Sequence, residues 1–229
     1  MMHTTDLQRS LLNKSQQMIN FYTPRGLHVY FKDPLSKNVD FEKVISKVES
    51  KIPLHLMGEV EMVVVGQFDE FHERSVNAFY ADGMICVTNE QEDEDDMVDD
   101  IIHEIAHAVE ESEGHYIYGD KKVKNEFVGK RDTLHDILWA SGYKIPRSVF
   151  LDPEYNQELD MFLLKDVGYD KLAQFSQGLF MSAYSVTSLR EYFATAFTDF
   201  FMRPDSHDII KLLCPQTYKK INNLYLENT

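Results

Sequence analysis

The order of apolar and polar positions splits the chain into a mixed first half and a helical end. Leu7, Leu11 and Leu12 share one side of a short amphipathic helix over residues 6–20. Residues 27–31 read as a first strand, stopped by Asp33 and Pro34. Over residues 40–52, Phe41, Val44, Ile45 and Val48 recur at spacings of 3, 1 and 3, which predicts a helix with one buried face. The β-branched run 60–65, ended by Gly66, predicts a buried strand. Two further strands, 78–80 and 84–88, flank Ala81, Asp82 and Gly83, a hairpin turn.

The strongest period follows. Met97, Ile101, Ile105 and Ala108 are spaced 4, 4 and 3, with Val98, Ile102, Ala106 and Val109 alongside, which predicts a largely buried helix. The acidic run Glu90 to Asp96 leads into it, and carboxylates favour a helix N-terminus through capping and the macrodipole. A calcium loop is the sharper alternative, but the spacing of an EF-hand and its central glycine are missing. Patterns weaken over 112–185, with short helices around 124–139 and 153–163 broken by Gly142, Pro146 and Gly168. From 186 onward the chain is again helical, and one apolar helix ends at Arg203 and Pro204. The expected class is α+β: a lobe over 1–111 with a small mixed sheet, an edge hairpin and the buried helix, then a mainly helical lobe over 112–229.

Composition narrows the partners. A formal net charge of −15 argues against nucleic acid or an anionic membrane surface, which would repel the protein. Cys86 and Cys214 stand 128 residues apart with no C-x-x-C companion, so a cysteine zinc site is excluded and a disulfide framework is not expected. Cys86, within the apolar run 84–87, reads as a buried free thiol. The first twenty residues lack an apolar signal core and no stretch is long and apolar enough to span a bilayer, so the expected location is the cytoplasm. The Lys/Asn/Tyr/Phe-rich composition suits a phage or another AT-rich genome.

The buried helix carries the one motif that specifies chemistry. His103, Glu104 and His107 form H-E-x-x-H, and residues four apart on a helix share a face. Two imidazoles one turn apart can bind one zinc ion, and the adjacent carboxylate can take a proton from a water that the ion acidifies. The plain alternative is a core helix with two hydrogen-bonded histidines.

A catalytic zinc site needs a third protein ligand. Glu110 and Glu113 occupy the positions where a metzincin has Gly and His, which removes that class. His115 lies eight residues beyond His107, but Gly114 predicts that the helix has already ended. Glu191 opens the second apolar helix, whose Phe193, Phe197, Phe200 and Phe201 form a packing stripe. Its carboxylate is either the third ligand or half of a capping box, because Ser188 and Glu191 also match S-x-x-E.

His103 to His107, followed by the run Glu191-Tyr192-Phe193-Ala194-Thr195-Ala196-Phe197, resembles the gluzincin peptidases and is similar to the catalytic-domain family of anthrax lethal factor. The end of the chain, from Cys214 to Ile221, also resembles that domain. The resemblance covers 97–111 and 184–203, extends more loosely over 27–96, and fades over 112–183. It implies a zincin-like fold with a cleft between the lobes and one Zn²⁺ per chain on His103, His107 and Glu191. It further implies Glu104 as the general base and Tyr184, seven residues before Glu191, as donor to the developing oxyanion. Thr195 departs from it: gluzincins carry a carboxylate there, so one that orients a histidine must come from Asp99, Asp100 or Glu111.

The expected activity is therefore zinc-dependent endoproteolysis, on a peptide held as an extended strand along a sheet edge. The alternative is a catalytically silent binding or structural protein of zincin fold, with a metal that only stabilises it. Arg131 and Arg190 read as surface or capping charges rather than pocket residues, and Trp139 reads as core.

Overall fold

A computed structural model describes residues 20–36, 38–74 and 76–226. The helix expected over 6–20 lies outside them, apart from its last residue. The chain divides into two compact units after Ala108.

The first unit is built on a five-stranded mixed sheet. Its strands are β1 (Asn20–Tyr22), β2 (His28–Phe31), β3 (Met62–Val65), β4 (Ala78–Ala81) and β5 (Met84–Val87), in the spatial order β1-β2-β3-β5-β4. The outer pairs are antiparallel, while β2, β3 and β5 run parallel. A parallel pair needs a crossover, and helix α1 (Phe41–Lys51) supplies the one between β2 and β3. Asp40 caps that helix by accepting from the Lys43 amide at 3.4 Å. Its predicted face, Phe41, Val44, Ile45 and Val48, is buried, and the Phe41 ring meets Phe31 edge-on with centroids 5.1 Å apart.

Strand alternation sorts the sheet into two faces. Register places Val29, Val63 and Ile85 side by side on the α1 face, with Val65 and Val87 beyond them, and all five are fully buried. The other face carries Val64 and Cys86, covered by Phe68, Phe71 and Phe79, with Phe71 coming from the short α2 (Asp69–Arg74). Cys86 is a buried free thiol as expected, and burial pushes its pKa up to about 11. The hairpin turns at Asp82 and Gly83, with φ of 48° and 81°, the left-handed pair that a two-residue turn requires. This leaves β4 on one edge of the sheet.

Helix α3 (Glu94–Tyr118) runs from the first unit into the second. Asp93 caps it through one carboxylate oxygen that accepts from the Asp95 and Asp96 amides at 2.8 and 3.0 Å, while Asp95 accepts from Lys47 at 2.8 Å. The expectation that Gly114 ends this helix is wrong. A single interior glycine costs only about 1 kcal/mol, and the fully buried Ile117 holds the turns beyond it.

The second unit is helical: α4 (Lys122–Ala140), α5 (Arg147–Phe150), α6 (Gln157–Met161) with a π-helical continuation Phe162–Val167, α7 (Tyr169–Ser176), α8 (Leu189–Met202), α9 (His207–Leu213) and α10 (Pro215–Leu226). Two sequence readings fail here. Arg131 is 0 % exposed, not a surface charge, and Trp139 is 46 % exposed, stacked on His135 with Lys144 over its ring. No helix among the described residues is long and apolar enough to cross a membrane.

Candidate metal centre

The middle of α3 is apolar almost all round. Met97, Val98, Ile101, Ile102, Ile105 and Ala106 are fully buried, which fixes the rotation of the helix and with it the direction of its few polar side chains. His103 is half-buried and His107 buried; their rings stand 5.1 Å apart at 82°. Glu104 is only 7 % exposed.

Helix α8 presents the remaining donor. Ser188, in extended conformation, accepts from the Glu191 amide at 3.1 Å, so the serine half of the capping box is present. The Glu191 carboxylate lies with the two histidines: one donor atom from each of His103, His107 and Glu191 falls within 4.8 Å of the others. A tetrahedral ion with bonds of about 2.1 Å spaces its donors at roughly 3.4 Å. The three donors are close enough to hold one metal ion, and two imidazoles with one carboxylate suit a divalent transition metal. Capping does not compete with ligation here, because the cap bond is made by the Glu191 amide and the Ser188 oxygen rather than by the Glu191 carboxylate. No comparable group forms within the acidic run among the described residues.

The surroundings of these side chains are polar and organised. Asp100, one turn before Glu104, accepts from the Gln91 amide at 2.8 Å; burial raises its pKa to about 6, with Asp99 and Glu104 pushing the same way. Of the three carboxylates near the histidines in sequence, Glu111 is exposed, whereas Asp99 and Asp100 are half-buried. Glu110, one turn beyond His107, accepts from the Tyr118 hydroxyl and faces Arg190 Nε at 3.4 Å. Arg190 is thus a largely exposed side chain paired with a buried carboxylate. Tyr169, half-buried, is held up to about 12 by burial first and then by Asp160, Glu191 and Tyr155.

Tyr184 sits on a 3-10 turn, Tyr184–Val186, and is 38 % exposed. Its carbonyl accepts from both the Thr187 amide at 3.0 Å and the Thr187 hydroxyl at 2.8 Å. Ser182 and Ser185 cross-bond on either side of it, so the backbone of this turn is well held.

Helix α4 contributes what the sequence did not advertise. Glu126 accepts from Tyr192 at 3.1 Å, from the Gln216 amide at 2.7 Å and from the Thr217 hydroxyl at 2.9 Å, which caps α10 and ties it to α8. Lys130 donates to the Leu179 and Leu213 carbonyls. Arg131 donates to Asp152, Val186 and Thr187 carbonyls, and burial pulls its pKa down to about 9. The one legible sign was their i, i+4, i+5 spacing on a helix whose other inward positions are apolar. No family model, curated protein or solved structure matches the chain.

Proposed function

We propose that this protein is a zinc-dependent endopeptidase of gluzincin type, resembling the catalytic-domain family of anthrax lethal factor. The observation that carries the reading is the convergence of His103, His107 and Glu191 donor atoms with Glu104 buried on the same helix. Ligation alone has no use for Glu104, whereas hydrolysis needs a base beside the ion. When bound, zinc acidifies a water and polarises the scissile carbonyl. Glu104 takes the water proton and returns it to the leaving amine, so the same carboxylate serves as base and then as acid. Tyr184 donates a hydrogen bond to the carbonyl oxygen as negative charge develops there. The outer edge of β4 would hold the peptide substrate as an added strand.

Glu104→Gln separates this from a silent metal-stabilised fold. The expected outcome is retained zinc stoichiometry with cleavage of an unbiased peptide library reduced by about 10²-fold or more. Equal inertness of wild type and variant, with zinc bound in both, would favour the silent fold.

A further inference from the structure

Arg131 is a charged side chain with no exposure at all, in the middle of α4. Burying a guanidinium is unfavourable unless its donors are used, and here they are spent on main-chain carbonyls rather than on a carboxylate. Nε donates to the Val186 carbonyl at 2.8 Å and one terminal nitrogen to Thr187 at 2.8 Å, while the other reaches Asp152. The plane of the group lies against Phe127 and Phe150, with centroid distances of 4.7 and 5.7 Å. Its three acceptors come from two segments that meet at the start of α8. Val186 and Thr187 immediately precede the Ser188 cap, and the Leu189 amide donates to Pro153 at 2.8 Å, next to Asp152. One rigid fork therefore joins both strands of chain from which Glu191 departs.

We infer that Arg131 is a positioning residue for the metal centre, holding residues 184–188 so that Glu191 is set in place before any metal arrives. The inference rests on the metal-site reading above and deepens it. A ligand carboxylate must reach its ion to within a few tenths of an ångström, and the first turn of α8 has no slack once Ser188 is fixed. Lysine cannot replace the fork, since one ammonium cannot address three carbonyls in a plane.

The test compares Arg131→Lys and Arg131→Met with Leu134→Ala, a truncation of a fully buried residue on the same helix. Zinc affinity is measured by chelator competition at a temperature where far-UV dichroism shows each protein folded, and the visible spectrum of the cobalt(II) form reports ligand geometry. Both Arg131 variants should bind zinc about tenfold or more weakly and show altered cobalt bands. Leu134→Ala should lose thermal stability but keep its affinity and spectrum. Wild-type affinity and spectrum in the Arg131 variants would overturn the inference, as would an equal loss in Leu134→Ala. If the Arg131 variants do not fold, hydrogen exchange on metal-free wild type decides. Thr187, Leu189 and Glu191 amides as protected as those of α4 support the inference, and protection that appears only with zinc overturns it. A wild type that binds no zinc removes the metal-site reading and this role together, which differs from a wild type that binds no better than its Arg131 variants.

Discussion

Asp100 holds a carboxyl that its surroundings resist ionising, and this has a measurable consequence for stability. Burial raises its pKa to about 6 from an ordinary value near 3.8. Between those two values the folded protein keeps a proton that the unfolded chain gives up. Stability therefore falls as pH rises through that window and levels off above about pH 6. Asp100→Asn, which still accepts from Gln91, mimics the protonated form. In metal-free protein it should be more stable than wild type at pH 7, with the difference gone near pH 4; urea titrations across this range check it. A difference independent of pH would place the effect in packing. His103 and His107 stood out because histidines four apart share a helix face, and Glu191 stood out as a carboxylate opening an apolar helix with two roles open to it. Arg131 did not. A lone arginine is ordinarily exposed, and its acceptors are backbone carbonyls, which leave no trace in residue identity.

Among the elements, α1, β3, the β4–β5 hairpin and the start of α3 lie close to where apolar periodicity put them. Each carries its own local signal: the stripe Phe41, Val44, Ile45 and Val48 with an Asp cap for α1, a left-handed Asp82-Gly83 pair for the hairpin. Helix α4 lies within two residues of the pattern read over 124–139, but its inward positions, Val123, Phe127, Arg131, Leu134 and Leu138, include a charge that the stripe alone does not place inside. The far end of α3 escaped, since Gly114 weighs against a helix locally and tertiary packing outweighs it. That makes a prediction about the element itself. A Cβ at Gly114 would meet nothing within 4 Å, and its φ is not positive. Gly114→Ala should therefore stabilise the fold by about 1 kcal/mol, read as a rise of roughly 2–4 °C in Tm. An unchanged or lower Tm would mean that this turn is not helical in solution.

For the whole protein, metal binding and folding should be coupled, because unfolding separates donors that lie 84 residues apart in sequence. With free zinc at about a hundred times Kd, the bound ion adds about 2.7 kcal/mol. Chelation should then lower the Tm by roughly 5–10 °C. Glu191→Ala should bind zinc more weakly and show a smaller chelator effect; calorimetry with and without chelator makes the comparison, and an unchanged effect would exclude Glu191 as a ligand. The sequence by itself determined the α+β character, the helix bearing His103, Glu104 and His107, and the two roles open to Glu191. All of these depend on contacts between residues close in the chain. Tertiary structure alone decided that the Glu191 carboxylate joins the histidines, that α3 continues past Gly114, and that Arg131 is buried against the backbone beside the Ser188 cap. Those outcomes turn on which distant segments meet, and burial energy accumulated over many side chains sets that, not the local pattern at any one of them.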